Sequence, residues 1–512
     1  MSELLGAAVD VLDQVAESLS VDAQKMQDIR TLAQRAVLEM QIGWNGPDLV
    51  HLTLQWEDLA SPQLAAAAAS LISCADRLRA QSTAQREASR NGWYAGGSGP
   101  YSVGTCLPSM LTPILTPIST EPATGKPSVS QPEPEQGSPG DNAAWWRSLS
   151  PQQQQHVIEE HPDWIGNRDG VAFAARDQAN RALLTVDRAR LEDHQKRLEN
   201  DLADNWFGGA FTNEDAALDQ IKDKLAALAA IDDTLGKTGD RQLLVLDLSG
   251  ERTQAAISRG DVDTATDVAV FVPGLSASVT LGLKVYDDSM GQLQRRSELE
   301  GKRVNPTRRA TTAVVTWIGY QAPQMGWELL GDNSVADDHA AQRGAARLVP
   351  FLQGIGAARD HDAHLTLLGH SYGSTVAGLA LRQNTGVDDL VVFGSPGLGT
   401  SHLQDLLLAG GHVYYIEARR DAVGDLGYFG IDPSHLAGVE HASARESAVV
   451  DPVTGELRSF KEVIGHSSYL VDDSTSQYNM SVVVGGVPDR RVHDDGEGIG
   501  DVLSWPVPAT YR

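Results

Sequence analysis

The sequence predicts an α/β fold for its C-terminal half, with a mostly parallel sheet covered by helices on both faces. Seven short apolar runs alternate with helix-like segments from residue 242 onward, which is typical of parallel strands joined by crossover helices. The fifth run, at residues 365–368, passes through Gly-His-Ser-Tyr-Gly at residues 369–373 into a small-residue helical segment. This order of strand, sharp turn and helix places a serine at the carboxyl end of a central strand.

The N-terminal third predicts two segments outside the sheet. Residues 1–92 carry apolar side chains at helical spacing on both sides of a turn at Trp44 and Gly46, which predicts an all-α hairpin. Residues 93–142 are rich in Gly, Ser, Pro and Thr, a composition typical of an extended linker without a core of its own.

Residues 143–240 predict a helical segment before the sheet. Ser150 followed by Pro151 is a helix start, and Thr212 with Asp215 three residues later predicts the capped start of a further charged helix. We expect this segment to act as a cover, or lid, over one side of the active site.

The α/β domain is expected at residues 241–492, followed by an acidic tail at residues 493–512. Helix-like segments are predicted at residues 337–352 and 401–408. The seven predicted strands are residues 243–246, 255–257, 268–272, 313–317, 365–368, 390–393 and 413–416.

Composition excludes several classes of function. The net charge of −27 opposes binding to nucleic acid or to an anionic membrane. The two cysteines, Cys74 and Cys106, lie in unlike segments and form neither a disulfide framework nor a zinc site. No cleavable signal and no apolar run of membrane-spanning length is present, so we expect a soluble chain without Sec-type export. No cofactor fingerprint or metal-ligand spacing occurs, and none is predicted.

Ser371 is the candidate nucleophile, because it is the central serine of the Gly-x-Ser-x-Gly turn. Gly369 and Gly373 flank it where a side chain would collide with the adjoining strand or helix. His370, next to the serine, is expected to pack beneath the turn and receives no catalytic role.

A serine of this kind requires an acid and then a histidine further along the chain. Asp421 follows the strand at residues 413–416 and is the first choice as the acid. Asp425 and Asp432 are alternatives, and each of the three is also suited to capping a turn.

His466, in a Gly-His-Ser-x-Tyr run, is the first choice as the base, ahead of His435, His441 and His493. It would take the proton of the serine and return it to the leaving group, while the acid fixes the imidazole tautomer.

The oxyanion of an acyl-transfer intermediate needs two N–H donors. The first is expected from Tyr372, at the start of the helix after the serine. The second is expected from the turn after the strand at residues 268–272, where Leu275 or Ser276 would donate and Gly274 permits close approach of the substrate.

With these residues placed, residues 145–492 resemble an actinobacterial α/β-hydrolase family of uncharacterised substrate. The resemblance implies an α/β-hydrolase fold and a serine hydrolase that cleaves carboxylic esters, such as envelope lipids, with amidase, peptidase and thioesterase activities left open. It rests on Trp-Trp-Arg-Ser-Leu-Ser-Pro (145–151), His-Pro-Asp-Trp-Ile-Gly-Asn-Arg-Asp-Gly (161–170), Arg176, Asn180, Arg181, Phe-Val-Pro-Gly (271–274), Trp-Ile-Gly-Tyr-Gln-Ala-Pro (317–323), Gly-His-Ser-Tyr-Gly (369–373) and Gly-His-Ser (465–467).

The hairpin at residues 1–92 resembles the small helical proteins exported by type VII secretion systems, through its Trp-x-Gly turn at Trp44 and Gly46. This resemblance implies either a cytoplasmic chain or one exported by that route. It also implies an alternative function, in which the chain is an interaction protein or effector whose hairpin binds a helical partner and in which hydrolysis is secondary.

Overall fold

The structure, a computed structural model, describes residues 134–135, 137–204, 213–323, 339–421, 423 and 429–494, together with part of 13–86. The chain divides into two compact units, Met1–Ala33 with Ser61–Glu133 and Gln34–Ala60 with Pro134–Arg512. The described residues of the first unit are helical. Trp44 and Gly46, the turn of the predicted hairpin, lie outside the described residues, as do most of the predicted linker and acidic tail.

The second unit is built on an eight-stranded sheet. The strands are β1 (Arg241–Asp247), β2 (Gln254–Arg259), β3 (Asp267–Val272), β4 (Thr312–Ile318), β5 (His364–His370), β6 (Asp389–Phe393), β7 (His412–Ile416), β8 (Glu440–Ala442), and a separate hairpin of β9 (Ser447–Val450) and β10 (Leu457–Phe460). Their order in the sheet is β1-β2-β4-β3-β5-β6-β7-β8. Strands β3 to β8 are parallel to one another, whereas β2 runs antiparallel to both of its neighbours. The predicted mostly parallel sheet is therefore confirmed, with β5 near its centre.

Helices precede the sheet and fill the crossovers. The start at Ser150 is present, with a capping box that Ser150 forms with Gln153. In the part of the chain described here, the α-helices of the second unit are α1 (Pro139–Ser148), α2 (Pro151–Glu160), α3 (Pro162–Ile165), α4 (Phe173–Asp204), α5 (Asn213–Leu235), α6 (Val279–Val304), α7 (His339–Ala358), α8 (Tyr372–Ala380) and α9 (Thr475–Val484).

Two apolar cores lie on opposite faces of the sheet, because successive side chains of a strand point to opposite sides. On β3, Val268, Val270 and Val272 belong to the core that contains α7 and α8. Ala269 and Phe271 belong to the core that contains α5, α6 and α9. The central strands are buried on both faces, which is why they read in the sequence as continuous apolar runs.

The segment from α1 to α5 packs into this unit. α4 contacts β1, α5 contacts α6, and α1 contacts α7. These contacts place α4 and α5 at the β1 end of the sheet, several strands away from β5. A function as a lid stays a prediction.

Side chains from this segment bond the outer edge of β1, which has a strand neighbour on one side only. Asp177 accepts the N–H of Leu243 at 2.6 Å, and Asn180 donates to the carbonyl of the same residue at 3.0 Å. Asn167 both donates to and accepts from the backbone of Leu246, at 2.7 and 3.0 Å. Because unpaired backbone groups of an edge strand attract other strands, these contacts close the sheet at this end.

The prediction of a helix at residues 401–408 is wrong, because only Leu403–Asp405 form a short 3-10 turn. The backbone bonds to other segments instead: the N–H of Leu407 donates to the carbonyl of Leu381, and that of Ala409, just after the segment, to the carbonyl of Val387, both at 2.7 Å. Strands β8 to β10 were not predicted, because they are short and mixed in polarity.

Among the described residues, no helix is both long and apolar enough to cross a membrane.

A charged cluster lies where the parallel strands begin. His364 of β5 places Nε2 2.8 Å from Asp389 of β6, and its Nδ1 lies 3.6 Å from Asp267 of β3. Burial alone would lower the pKa of His364, but the two carboxylates outweigh burial and raise it to about 10. The imidazolium therefore bridges three neighbouring strands at neutral pH.

Asn180→Asp should destabilise the fold, because it replaces a buried donor with a carboxylate facing the carbonyls of Leu243 and Gly166. We expect the free energy of unfolding to fall by roughly 3 kcal/mol. The matched control is Gln178→Glu, because Gln178 is an exposed amide on the same helix. This substitution should change the free energy of unfolding by less than about 0.5 kcal/mol. Equal urea midpoints for the two variants would contradict the edge-closing role of Asn180.

His364→Gln should cost stability in a pH-dependent manner. A pKa raised from about 6.5 to about 10 on folding stabilises the protein fully below pH 6.5, and the contribution is lost as pH rises towards 10. The difference in unfolding free energy between wild type and variant should therefore be larger at pH 6 than at pH 10. His412→Gln, at an exposed ion pair, is the control and should show little loss at either pH. A difference that grows with pH would refute this assignment.

Candidate active site

Ser371 lies between the end of β5 and the start of α8, at φ 54° and ψ −132°. A positive φ in a residue other than glycine is strained by about 1–3 kcal/mol and needs support from its surroundings. The N–H of Ser371 donates to the carbonyl of Phe393 at 3.1 Å, and the N–H and hydroxyl of Ser374 donate to the Ser371 carbonyl at 2.9 and 2.6 Å. These bonds hold the sharp turn between strand and helix, in which Ser371 itself is buried.

The two glycines of the motif are required by close packing. A Cβ on Gly369 would lie 2.7 Å from Cα of Ser374, and one on Gly373 would lie 2.2 Å from the carbonyl oxygen of Val272. Both distances are too short for nonbonded atoms, so strand and helix approach this closely only with glycine at these positions.

The structure brings Asp421 and His466 together. Nδ1 of His466 lies 2.9 and 3.0 Å from the two carboxylate oxygens of Asp421. Because a carboxylate only accepts, Nδ1 carries the proton and Nε2 is the nitrogen left to accept one. Both side chains are buried.

Tyr469 is a third member of this group that the sequence analysis missed. Its hydroxyl donates to Oδ2 of Asp421 at 2.6 Å and accepts the N–H of Ala418 at 2.9 Å. The N–H of Val423 donates to Oδ1 of Asp421 at 3.0 Å. The available signal was the spacing, since Tyr469 ends the same Gly-His-Ser-x-Tyr run that contains His466.

These contacts set the charge states. Burial raises the pKa of Asp421, but the charge and hydrogen bond of His466, with the hydrogen bonds of Tyr469 and Val423, lower it below its ordinary value. Burial and the neighbouring Asp421 raise the pKa of Tyr469 well above its usual range. Asp421 is therefore a carboxylate and Tyr469 a neutral donor at physiological pH.

His370, which was expected to pack beneath the turn, is buried and contacts His466. Its Nε2 lies 2.9 Å from the carbonyl oxygen of His466 and donates to it, since a carbonyl only accepts. The rings of His370 and His466 are 4.9 Å apart, and His370 stacks on Phe393. The residue beside Ser371 thus anchors the backbone of His466.

The rival residues lie elsewhere or outside the described residues. Asp432 bonds the N–H of Ser434 and caps a short 3-10 turn, where His435 also contacts it. His441 belongs to β8, and His493 bridges to that strand. Asp425 lies outside the described residues.

The loop after β3 lies against Ser371. A Cβ on Gly274 would be 2.7 Å from Cβ of Ser371 and 3.0 Å from the backbone nitrogen of Tyr372. Ser276 has φ 61°, and its N–H donates to the carbonyl of Pro323 at 2.8 Å. That bond commits the Ser276 N–H to Pro323 and leaves Leu275 as the candidate donor on this loop.

A family model described as alpha/beta hydrolase matches residues 249–431, a range that contains Ser371 and Asp421. An uncharacterised protein of Mycobacterium tuberculosis strain H37Rv is 34% identical over 242 residues, covering 46% of this chain and 88% of the relative. The chain belongs to the alpha/beta hydrolase family. A second uncharacterised protein of the same strain is 30% identical over 406 residues, covering 75% of this chain and 57% of that relative.

Two solved structures are similar to this alpha/beta hydrolase. A hyperthermophilic esterase from the archaeon Pyrobaculum calidifontis has a TM-score of 0.31 and 13% identity, covering 52% of this chain and 90% of that chain. An arylesterase has a TM-score of 0.30 and 12% identity, covering 58% of this chain and 97% of that chain. Within the described residues of the hydrolase, no group of three or more His, Cys, Asp or Glu could hold a metal ion.

Tyr469→Phe should raise the pKa of Asp421, because it removes a 2.6 Å hydrogen bond that stabilises the carboxylate. Loss of a buried bond to a charged group should also lower the free energy of unfolding by about 1.5–3 kcal/mol. Carbon NMR of the Asp421 carboxyl, titrated with pH, measures the first effect.

The control is Tyr478→Phe, another buried tyrosine, whose hydroxyl donates to the carbonyl of Arg490. It should leave the pKa of Asp421 unchanged. An Asp421 pKa that is the same in Tyr469→Phe as in wild type would show that the tyrosine does not support the carboxylate.

Proposed function

We propose that this chain is a serine hydrolase that cleaves carboxylic esters, with Ser371 as nucleophile, His466 as base and Asp421 as the orienting acid. The observation that carries the proposal is the strained Ser371 turn beside a buried Asp421–His466 pair, linked by the bond from His370 to the carbonyl of His466. Ser371 and Asp421 follow the carboxyl ends of β5 and β7, and Gly394, after β6, packs against Asp421 and His466. Ligand clefts form at this edge of open parallel sheets.

In the proposed reaction, Nε2 of His466 takes the proton of the Ser371 hydroxyl while the oxygen attacks the ester carbonyl carbon. The tetrahedral intermediate then collapses, and the alcohol leaves with the proton returned by His466. Water, deprotonated by the same nitrogen, attacks the acyl-enzyme; the bond from the acyl carbon to the Ser371 oxygen then breaks, His466 returns the proton to that oxygen, and the carboxylic acid is released. Asp421 keeps the proton on Nδ1 throughout and stabilises the transient imidazolium.

We assign the oxyanion hole to the backbone N–H groups of Tyr372 and Leu275. Tyr372 begins α8, and the first N–H groups of a helix have no acceptor within it. The contact of Gly274 with Ser371 and Tyr372 brings the loop after β3 beside that helix start. Two donors converging on the developing oxyanion stabilise it relative to the neutral carbonyl.

We propose esters of aliphatic acids, lipids included, as the substrate class. A small cleft between α6 and the loop of His466 has apolar and polar side chains in its lining: Val285, Tyr286, Phe393, Tyr469 and Leu470, with Ser289, His370 and Ser467. Its volume of about 10 Å³ holds no more than one water molecule, so it supports an apolar environment beside His466 and does not itself accommodate an acyl chain.

Ser371→Ala, His466→Ala and Asp421→Asn should each abolish labelling by a fluorophosphonate probe and lower kcat for a p-nitrophenyl ester by about 10⁴-fold or more. The controls are Ser434→Ala, Asp432→Asn and His435→Ala, residues of the same types in the 3-10 turn, which should keep wild-type rates. Matched acyl ester, thioester and amide substrates identify the bond that is cleaved. Labelling or turnover that persists in folded Ser371→Ala would refute Ser371 as the nucleophile.

A further inference from the structure

A basic cavity lies at the opposite edge of the sheet from Ser371. Arg241 begins β1 and pairs in register with Arg259, the last residue of β2, and Arg259 pairs with Val314 near the start of β4. The parallel strands thus begin on the side of this cavity, whereas Ser371 follows the end of β5. The cavity has a volume of about 540 Å³, and its lining includes Lys237, Arg241, Arg259, Asp288, Gln292 and Arg295.

Part of this charge has a structural role. Arg241 is buried and forms a two-bonded ion pair with Asp287, at 2.9 Å for both bonds. Its remaining nitrogen donates to the carbonyls of Lys237 and Thr238. Arg241 and Asp287 therefore neutralise each other and form the floor of the cavity.

The other three cations share the negative charges of Asp287 and Asp288. Lys237 pairs with Asp288 at 2.6 Å and with Asp287 at 3.3 Å. Arg259 reaches only Asp287, at 3.4 Å, although that carboxylate is already bonded by Arg241. The side chain of Arg295 has no hydrogen bond or ion pair to any residue that the structure describes. Four positive charges thus face two negative ones, an excess of two in a chain whose net charge is −27.

Arg259 is held in place by packing. A Cβ on Gly291 of α6 would lie 2.5 Å from Cζ of Arg259, so the guanidinium lies directly on the helix backbone. Burial lowers the pKa of Arg259, as do the nearby charges of Arg241 and Arg295, while Asp287 opposes them. A fixed guanidinium crowded by like charges gains stability when an anion binds.

We propose that this cavity binds a phosphate group of a small molecule, with Arg259 and Arg295 as its ligands and Gln292 as a further donor. Lys237 contributes positive charge only, because its three N–H donors already bond Asp287, Asp288 and the carbonyl of Lys284. A phosphate dianion matches the excess of two positive charges, and arginine presents paired donors that fit its oxygens. The volume is within the range of small-molecule sites and exceeds what one phosphate occupies. The site is separate from the proposed ester chemistry and does not depend on it.

Calorimetric titration of the full chain with pyrophosphate, at constant ionic strength set with chloride, tests the proposal. We expect saturable binding at one site per chain. The double variant Arg259→Gln with Arg295→Gln should bind at least tenfold more weakly. Arg197→Gln, an exposed arginine on α4, is the matched control and should bind as wild type does. Ester hydrolysis by all three proteins should be the same.

A second variant distinguishes specific loss of binding from misfolding of the double variant. Gln292→Glu adds a negative charge to the cavity without removing any ion pair, and it should also weaken binding at least tenfold. Wild-type affinity in both folded variants, or no saturable binding by wild type to any phosphate probe, would overturn the proposal.

The source of the phosphate is decided by comparing a soluble phosphate monoester with vesicles of phosphatidic acid in phosphatidylcholine. Binding to the monoester but not to the vesicles assigns a soluble ligand, as the acidic net charge of the chain favours. Binding to the vesicles that is lost in the double variant assigns a lipid headgroup at the same site.

Discussion

The conformation of Ser371 is the constraint on which the rest of the site depends. A residue at φ 54° between a strand and a helix persists only when its neighbours leave no alternative. β5, α8 and the loop that follows β3 pack closely around this turn. A side chain at Gly369, Gly373 or Gly274 would therefore collide with neighbouring atoms. The sheet must therefore place β3 and β5 side by side, and their parallel register does so.

Asp421 holds the second half of the site in a comparable way. One carboxylate accepts from His466, Tyr469 and the backbone of Val423, so its charge is satisfied without water. A buried charge with this many donors stays ionised, and an ionised acid fixes which imidazole nitrogen is protonated. The two ends of the sheet thus differ in chemistry: a buried acid–histidine pair at the carboxyl ends of the strands, and charged clusters where the strands begin.

Much of this could be predicted from the sequence, because buried parallel strands read as continuous apolar runs. All seven predicted runs lie within strands. Patterns local to the chain also selected Asp421 and His466 as candidates, and the structure brings these two side chains together. Local patterns could not predict β8 to β10, which are short and part polar, or the loss of a helix at residues 401–408, whose backbone bonds to distant segments. The Arg259 cluster depends on contacts between remote elements, which no local pattern records, whereas the position of Tyr469 in the Gly-His-Ser-x-Tyr run was a local signal that could have been used.

The side chains that bond the edge of β1 have a consequence for the order in which the protein forms. Asn167, Asp177 and Asn180 precede β1 in the chain, so a ribosome delivers them before the strand they cover. An exposed strand edge is the part of an incomplete sheet most prone to pairing with another chain. The first strand of the sheet therefore emerges after the side chains that bond its outer edge, and its pairing with β2 leaves one edge open, the edge that β4 joins.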